Sequence, residues 1–581
     1  MNYQIDKLFI RKMLQKLSSY LFFYGILVLV LYWVLQNVGH TVRLPGVWPI
    51  FRFGRLLDAM FLALPLFVLR RRCLVNIYLL LVCTYLLSVV LYFRGYHTIM
   101  PLSSYLMIYN LNGMTDSYMS YFRVKDIWGI ILPIILFCLL YHWGAKKVVR
   151  MRKWDIIGGC LCTLFVAVST ACWYIPENNH IHIRPLYFFR SEEVSAFRHY
   201  GFLNYWIYQI YTFQGVSEKE RQQAVTFMET NKELLTGGNL VKSDTIGTKK
   251  NLIVLLVESM ESWVVGCQVD GIPVTPYLDS LMVSEKALFF PKVVSQVKDG
   301  RSSDAQLLLN TGLLPLNSGA AASLCYQNKF YTLADALKDK GYRSVSLICD
   351  FKDFWNQEAT TKAYGFDELH DRLQGDEGRS SADEKLVRQG LRIMEDLPQP
   401  FYAQLVTISS HGPYEKPIID SPLQNAGFKT DEQKNYAIAF QYVDRCINQL
   451  IVGLKEAGLY ENSIIVVTGD HDVEIPDVDE KKHDTLASNY FIPFIVFNSP
   501  FEADTTKVVG QVDLYPSLLN LMQVTDYAFT GLGQSVFGKV DDCAVTSDFT
   551  VLGEGCTPQN VAKKRELWYL SDILLRMDYF K

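Results

Sequence analysis

The sequence predicts an N-terminal bundle of five transmembrane helices followed by an α/β domain with a mostly parallel central sheet. Long apolar runs without Asp, Glu, Lys or Arg are confined to the first 176 of the 581 residues. From residue 251 onward, short β-branched runs alternate with helical patterns, as is typical of α/β domains. We therefore divide the chain into a transmembrane domain (1–176), a juxtamembrane amphipathic segment and linker (177–250), and an outer domain (251–581).

Five apolar runs predict the transmembrane helices. Four of them carry no charged side chain, at residues 17–42, 73–93, 127–145 and 156–176. Each is close to the roughly 20 residues that cross the hydrocarbon core of a bilayer as a helix. The fifth run, 56–69, is shorter and contains Asp58, so it is the weakest of the set. We count it because the distribution of basic residues requires an additional crossing.

Lys and Arg in short loops predict the orientation, because cytoplasmic loops gather positive charge. Basic residues precede the first span and lie between the second and third and between the fourth and fifth: Lys7, Arg11, Lys12, Lys16, Arg70, Arg71, Arg72, Lys146, Lys147, Arg150, Arg152 and Lys153. Fewer lie on the other side: Arg43, Arg52, Arg55, Arg94, Arg123 and Lys125. The sequence therefore predicts a multi-pass protein of the cytoplasmic (inner) membrane, with its amino terminus inside and everything after about residue 177 outside.

Net charge, cysteine positions and one amphipathic stretch indicate further properties of the protein. The net charge is only −3, so we expect no nucleic-acid partner. Six cysteines lie in the outer part, where disulfides are permitted, but their spacing predicts no pairing: Cys267, Cys325, Cys349, Cys446, Cys543 and Cys556. The amphipathic stretch 199–213, rich in Tyr and Trp, suits either the membrane interface or packing against the outer domain.

Five runs in the outer domain predict buried parallel strands: NLIVLLVES from residue 251, RSVSLICD from 343, YAQLVTISSH from 402, SIIVVTGDHD from 463 and YFIPFIVFNS from 490. Ligands of α/β sheets bind beyond the carboxyl ends of the strands. Four of these ends carry acidic or imidazole side chains, namely Glu258, Asp350, His411, and Asp470 with His471. Any one of them is explained by a turn or a helix cap, whereas the whole set indicates a site.

Glu258, Asp470 and His471 form a candidate metal-ligand set. Two carboxylates and one imidazole suit Zn²⁺ or Mn²⁺ better than Ca²⁺, which prefers oxygen ligands alone. A fourth ligand is needed, and the stretch KDGRSSDAQ at 298–306 offers hydroxyl groups. A metal-bound Ser302 would become nucleophilic near neutral pH.

The same stretch has a purely structural explanation. Ser303 or Asp304 would accept hydrogen bonds from the free N–H groups of the helix that follows. If Ser302 is instead the nucleophile, Arg301 and the helix N-terminus would favour an anionic substrate with a phosphoryl or sulfuryl centre.

The order of motifs resembles a known family. After Glu258 come GRSSD at 300–304, FWN at 354–356, SHGPY at 410–414 and GDH at 469–471. This order is similar to that of the lipoteichoic acid synthase branch of the sulfatase and alkaline phosphatase superfamily. The resemblance covers nearly the whole chain and implies five transmembrane helices followed by a sulfatase/alkaline-phosphatase-like catalytic domain outside the membrane.

The resemblance also implies roles for single residues. Ser302 matches the position of a nucleophilic threonine, and Arg301 that of a lysine. Glu258, Asp470 and His471 match metal ligands, which implies one Mn²⁺ ion, with Zn²⁺ and Mg²⁺ as alternatives. Three further positions match residues that hold the phosphoglycerol unit: Asp350, Trp355 and His411.

The sequence departs from the family pattern at some positions. Gln357 stands where lipoteichoic acid synthases have an arginine that contacts the substrate phosphate, and a neutral amide cannot replace a bidentate charged contact. His483 is placed as in related phosphoethanolamine transferases, so it either binds phosphate or only belongs to its loop. Ser303 remains a rival nucleophile. The formylglycine signature of ordinary sulfatases is absent.

These observations predict a membrane-anchored, metal-dependent phosphotransferase. It would move phosphoglycerol from phosphatidylglycerol to an envelope glycolipid or glycan through a covalent intermediate on Ser302, with His411 protonating the leaving oxygen or positioning the group. One alternative is phosphoethanolamine transfer from the corresponding lipid. Others are a phosphodiesterase or sulfatase-type hydrolase and a non-catalytic envelope-binding protein. The intact set of Glu258, Ser302, Asp470 and His471 argues against the last alternative.

Overall fold

The computed structural model of the chain divides into two compact units. One comprises Met1–Leu102 and Leu111–Gln214, and the other Ser103–Asn110 and Gly215–Lys581. The structure describes residues 2–41, 49–69, 71–96, 99–102, 104–105, 119, 121–144, 157–158, 160–161, 163–164, 168, 202, 205–206, 209, 215–238, 240–241, 250–373, 382–414, 417–473, 475 and 490–581. The domain boundaries at residues 176 and 250 stay a prediction.

The described part of the first unit is helical. Its helices are α1 (Asn2–Thr41), α2 (Pro49–Ala63), α3 (Pro65–Val68), α4 (Arg72–Tyr96), α5 (Val124–Asp126) and α6 (Leu132–Gly144), with a π-helical turn at Ile127–Ile131. Three stretches among the described helices are long and apolar enough to cross a membrane: Phe22–Thr41, Arg72–Arg94 and Val124–Trp143. They overlap three of the predicted spans.

The count of five spans is not confirmed. The predicted span at 56–69 is interrupted, because α2 ends at Ala63 and α3 begins at Pro65. Proline cannot donate the backbone hydrogen bond that a continuous helix would need there. The predicted span at 156–176 lies for the most part outside the described residues. The number of crossings therefore stays a prediction.

The amphipathic stretch 199–213 contributes to the first unit. Phe202 and Tyr205 are buried in the apolar core of this unit, together with residues of α1, α2 and α4. The ring of Phe202 lies 5.8 Å from that of Tyr85 on α4. The described side chains of this stretch thus pack within the first unit, which does not favour the alternative of packing against the outer domain.

The second unit is built around an eight-stranded sheet. Its strands are β1 (Asn251–Val257), β4 (Leu288–Val294), β5 (Arg343–Ile348), β6 (Glu368–His370), β7 (Phe401–Val406), β8 (Ser463–Gly469), β9 (Phe491–Phe497) and β10 (Val509–Gly510). They follow the order β10-β4-β9-β8-β1-β7-β5-β6. Two small hairpins are formed by β2 (Gln268–Val269) with β3 (Ile272–Pro273) and by β11 (Ala544–Val545) with β12 (Val551–Leu552).

The mostly parallel sheet is confirmed, with one correction. Strands β8, β1, β7, β5 and β6 pair in parallel, as predicted for four of them. The predicted parallel direction of β9 is wrong, because β9 pairs antiparallel with both β4 and β8. A parallel connection usually needs a crossover helix, and the sequence between Gly469 and Phe491 is polar and acidic rather than amphipathic.

The helices of the second unit cover both faces of this sheet. They are α7 (Glu218–Thr230), α8 (Pro276–Ser284), α9 (Ser302–Thr311), α10 (Ala321–Leu324), α11 (Leu333–Lys338), α12 (Gln357–Ala363), α13 (Ala382–Asp396), α14 (Asp431–Glu456), α15 (Leu514–Leu521) and α16 (Pro558–Arg576). Alternate residues of β1 belong to two separate apolar cores: Leu252, Val254 and Leu256 to one, and Ile253, Leu255 and Val257 to the other. This alternation is expected of a strand buried on both faces.

Candidate metal and nucleophile site

The site begins at the carboxyl ends of two neighbouring strands. β1 and β8 are parallel, and Val257 is paired with Gly469 at the end of their register. Glu258 directly follows β1, and Asp470 directly follows β8. Because parallel strands end at the same edge, these side chains emerge beside each other. The structure therefore brings the three predicted ligands together, since His471 comes next in the chain.

Glu258, Asp470 and His471 form a compact cluster of possible metal ligands. One ligand atom from each lies within 4.8 Å of the other two, and all three residues are buried. His471 Nε2 is 3.5 Å from Glu258 Oε1 and 3.6 Å from Asp470 Oδ2. Asp470 Oδ2 is buried, and within the part of the chain that the structure describes it has no hydrogen-bond partner. Because an unsatisfied buried carboxylate oxygen is costly, a cation bound here would fit the donor set.

The electrostatics of the cluster indicate an excess of negative charge. Burial, reinforced by the charge of Glu258, raises the pKa of Asp470 to about 7. Burial alone would lower the pKa of His471, but the charge of Asp470 raises it. Burial opposes ionisation of Glu258 as well, yet hydrogen bonding with His471 and the nearby charge of His411 lower its pKa. A divalent cation would instead favour two ionised carboxylates and a neutral imidazole.

Ser302 reaches this cluster from helix α9, which follows neither β1 nor β8 directly. It is the first residue of α9, and its hydroxyl donates a hydrogen bond of 3.1 Å to Oε2 of Glu258. The hydroxyl of Ser303 is turned elsewhere, since it is buried and donates a hydrogen bond of 2.7 Å to the carbonyl oxygen of Gly300. The two adjacent serines thus have different environments, and only Ser302 is placed at the candidate ligands.

The proposed capping role of this stretch is not seen. α9 has no side-chain hydrogen bond at its cap, and Arg301 occupies the cap position with a positive φ of 46°. Asp304 instead accepts hydrogen bonds from the backbone N–H groups of Lys298 and Gly300, at 3.0 and 2.9 Å. This carboxylate therefore shapes the turn before the helix. The backbone N–H groups of Ser303 and Asp304 donate to the carbonyl oxygens of Gly300 and Arg301, both at 2.9 Å, so the first turn of α9 is closed by backbone hydrogen bonds.

The remaining predicted residues lie on other elements of the second unit. His411 follows β7, and its Nδ1 lies 2.6 Å from the carbonyl oxygen of Gly412. Asp350 follows β5, separated from β1 by β7. Trp355 lies in the turn Phe354–Asn356 with a positive φ of 51°. His483 lies outside the described residues.

Arg301 and Gln357 take different positions. A guanidinium nitrogen of Arg301 donates a hydrogen bond of 3.1 Å to the backbone oxygen of Asp472, which follows two of the candidate ligands. Gln357 begins α12 and is buried, and none of the described residues donates a hydrogen bond to its side-chain oxygen. Arg301 therefore contacts the loop that carries the candidate ligands, whereas the Gln357 side chain is buried within the second unit.

Several supporting residues were not predicted. The hydroxyl of Thr407 accepts from the backbone N–H of Glu258, and the hydroxyl of Ser410 donates to its carbonyl oxygen, at 2.9 and 2.6 Å. Asp383, at the start of α13, accepts from the N–H groups of Ile408 and Ser409, at 2.8 and 3.0 Å. The serine-rich end of the β7 run was visible in the sequence, but Asp383 resembles an ordinary helix-start residue.

Glu261 is a second supporting residue. Its carboxylate accepts from the indole N–H of Trp263 and from the backbone N–H of Val473, at 2.6 and 3.0 Å. Val473 lies two residues after His471, so Glu261 holds the loop that carries two candidate ligands. The sequence favours packing or solvent exposure for Glu261 and Trp263 over a role in shaping the pocket, because the contact of Glu261 with Val473 is made across 212 positions of the chain.

Comparison with known proteins gives a consistent family relationship. The sulfatase family model matches residues 250–524. Lipoteichoic acid synthase 1 of Bacillus subtilis (strain 168) is 26% identical over 574 residues, covering 92% of this chain and 87% of that protein. Lipoteichoic acid synthase of Staphylococcus aureus (strain USA300) is 24% identical over 485 residues, covering 78% of this chain and 72% of that protein.

Among solved structures, the lipoteichoic acid synthase LtaP from Listeria monocytogenes is 21% identical with a TM-score of 0.47, and the match covers 60% of this chain and 98% of that one. The family match and the curated relatives agree with the order of motifs along the chain. Residues 250–524 therefore form a sulfatase-family domain, and the chain is similar over most of its length to lipoteichoic acid synthases, which are enzymes.

Proposed function

We propose that the protein is a membrane-anchored phosphotransferase that moves phosphoglycerol from phosphatidylglycerol to a glycolipid or glycan of the cell envelope. The observation that carries the proposal is the position of the Ser302 hydroxyl against the cluster of Glu258, Asp470 and His471. The curated relatives are lipoteichoic acid synthases, which supports transfer over simple hydrolysis.

The site would hold one divalent cation through Glu258, Asp470, His471 and Ser302. We propose Mn²⁺, with Zn²⁺ and Mg²⁺ as alternatives. When bound, such an ion supplies Lewis-acid character that lowers the pKa of the Ser302 hydroxyl. The unpartnered oxygen of Asp470 and the mixed oxygen and nitrogen donors support this assignment.

The reaction would proceed in two displacements at phosphorus. Ser302 Oγ releases its proton to water and attacks the phosphorus of phosphatidylglycerol, a Ser–O–P bond forms, and the bond from phosphorus to the diacylglycerol oxygen breaks. His411 gives its proton to that leaving oxygen, while its Nδ1 is held against the carbonyl oxygen of Gly412. An acceptor hydroxyl then attacks the seryl phosphodiester, a bond from the acceptor oxygen to phosphorus forms, and the bond from phosphorus to Ser302 Oγ breaks. His411 takes the proton of the acceptor hydroxyl, and Ser302 Oγ regains a proton from water.

Other residues would bind rather than react. Arg301 and the positive end of the α9 dipole would stabilise the charge of the phosphoryl oxygens. On the family resemblance, we assign Asp350, Trp355 and His411 to the phosphoglycerol unit and His483 to the phosphate. Because Gln357 stands where lipoteichoic acid synthases have an arginine, we expect weaker binding of the substrate phosphate than in those enzymes.

An extracytoplasmic location of the second unit fits its covalent structure. Cys543 and Cys556 form a disulfide, which is rare in a reducing cytoplasm. The donor lipid and the envelope acceptor would then both be reached from the outer face of the membrane. This arrangement agrees with the orientation that the basic loops predict.

The decisive experiment uses the full-length protein in nanodiscs that contain phosphatidylglycerol. We expect mass spectrometry to find a phosphoglycerol adduct on Ser302 when the acceptor is withheld. An adduct of phosphoethanolamine mass, formed only with phosphatidylethanolamine, would instead assign the donor of the related transferases. Free glycerophosphate without any acylglycerol acceptor product would indicate a hydrolase, and the absence of both adduct and lipid cleavage would indicate a non-catalytic protein.

A further inference from the structure

The first unit contains a cavity of about 280 Å³ between α2 and α4. Phe61 and Leu62 line it from α2, Leu81 and Leu86 line it from α4, and Phe202 closes it from the amphipathic stretch. The cavity lies entirely among residues of the first unit, so it is separate from the cluster of Glu258, Asp470 and His471.

The polar groups of the cavity wall are already paired with protein. The hydroxyl of Tyr78 donates to the carbonyl oxygen of Leu62 at 2.7 Å, and the indole N–H of Trp206 donates to the hydroxyl of Tyr85 at 2.7 Å. Asp58, only 2% exposed, accepts from the backbone N–H of Phe202 at 2.8 Å. The surface left for a ligand is therefore hydrocarbon, which excludes a polar or charged occupant.

The rim of the cavity is formed by exposed apolar side chains. Phe61 is 40% exposed and Leu81 is 64% exposed, although both line the cavity. Leu81 lies near the middle of Arg72–Arg94, a helix long and apolar enough to cross a membrane. At that depth the groups next to the rim are acyl chains of the bilayer. The volume is slightly below the roughly 300–1,000 Å³ of pockets that enclose drug-sized ligands, so it suits a chain rather than a whole lipid.

We propose that this cavity binds one acyl chain of a membrane phospholipid. Moving a chain from bilayer to protein gives little hydrophobic gain, because lipid tails are as apolar as leucine. The binding energy comes instead from filling space, since the walls of an empty cavity lose their dispersion contacts. The cavity would therefore select acyl chains by their shape, and the lipid head group would contribute little to the binding free energy.

The test uses full-length protein in nanodiscs that contain phosphatidylcholine with a photoreactive diazirine on one acyl chain. Illumination and peptide mapping should place the label on cavity residues such as Phe61, Val82 and Leu86. Leu81→Trp should reduce this labelling several-fold, because the indole occupies the mouth. Leu80→Trp is the matched control, since Leu80 is also 64% exposed but is not part of the cavity wall.

Three results would overturn the proposal. Labelling spread evenly over the exposed face of α4 would mean ordinary contact with surrounding lipid. Equal effects of Leu81→Trp and Leu80→Trp, with both variants shown to be folded by circular dichroism, would mean that the cavity is not the binding site. Crosslinks between two protein copies at Leu81 would mean that a second chain covers the mouth. Phosphoryl transfer is assayed separately with Ser302→Ala, so failure of one proposal leaves the other measurable.

Discussion

The hydroxyl oxygen of Ser302 lies 3.1 Å from Oε2 of Glu258, although 44 positions of the chain separate the two residues. Glu258 is fixed by the end of the central strand β1, whereas Ser302 begins helix α9. A proposed nucleophile and a proposed metal ligand are thus supplied by separate elements. Each can be changed without altering the element that carries the other.

Replacing Ser302 by alanine should reduce cleavage of fluorescent phosphatidylglycerol by at least about 10³-fold, because the reacting oxygen is removed. Ser303→Ala is the control. It loses a buried hydrogen bond to Gly300, which costs stability of about 1 kcal/mol but removes no reacting atom. Loss of lipid cleavage in Ser303→Ala with full activity in Ser302→Ala would reverse the assignment.

Asp470→Asn should weaken binding of Mn²⁺ by at least about 10-fold, since even partners outside the ligand shell contribute that much to metal sites. Calorimetric titration and metal content after dialysis measure the change. Glu368→Gln is a suitable control, because Glu368 is a partly exposed carboxylate paired with Arg343. Retention of the metal by Asp470→Asn would contradict the proposed ligand set.

Asp383→Ala should destabilise the protein and weaken metal binding together. The buried N–H groups of Ile408 and Ser409 would lose their acceptor, at about 1–3 kcal/mol for each. The same loop supports Glu258 through Thr407 and Ser410. Thermal unfolding and metal titration provide the two readouts, and Asp383→Asn, which keeps one acceptor oxygen, should recover part of both. Destabilisation with unchanged metal affinity would show a purely structural role.

Asp444 should make stability depend on pH. Its carboxylate accepts from the N–H groups of Tyr277 and Leu278 at the start of α8, and burial raises its pKa to about 7, with Asp279 adding to the rise and Arg445 opposing it. A raised acid pKa means that the folded state holds the proton more tightly than the unfolded state. The stability contribution of Asp444 is therefore present below about pH 4 and is lost as the pH rises through about 7.

The matched measurement is thermal unfolding of the wild type and of Asp444→Asn across this pH range. The amide does not titrate, so the difference in stability between the two proteins should become smaller from pH 5 to pH 8. A difference independent of pH would show that Asp444 is ionised throughout.

Replacing both Cys543 and Cys556 by serine should lower the free energy of unfolding by about 3 kcal/mol, the value expected for a loop of similar length to the 13-position separation. Chemical denaturation measures the change. Cys267→Ser, which lies outside the disulfide, serves as the control. Identical unfolding of the wild type with and without reductant would mean that this pair is not bonded in the purified protein.

The strands that define the site were predictable because burial on both faces leaves an unmistakable apolar run, as in β1 and β8. The antiparallel direction of β9 could not be predicted in this way, because an apolar run indicates that a strand is buried but not in which direction it runs. β4 was missed because Pro291 and Lys292 interrupt its pattern, and its pairing with β9 shifts register between Phe290 and Val293.

The same distinction applies to the site residues. Glu258, Asp470 and His471 could be found because strand ends share one edge of a parallel sheet. Asp383 and Glu261 act through contacts made across the fold, and the local sequence does not reveal those contacts, although Glu261 stands close after Glu258. The position of Ser302 was predicted by resemblance, whereas its separation from Ser303 follows from a turn held by Asp304.

The alternation of β1 between two cores has a consequence for mutation. An insertion of one amino acid within Asn251–Val257 would exchange the residues that face each core and displace Glu258 from its neighbours on both adjoining strands. Substitutions of similar volume along β1 are tolerable, but changes in its length are not. The spacing of this strand is therefore as important to the proposed chemistry as the identity of its final carboxylate.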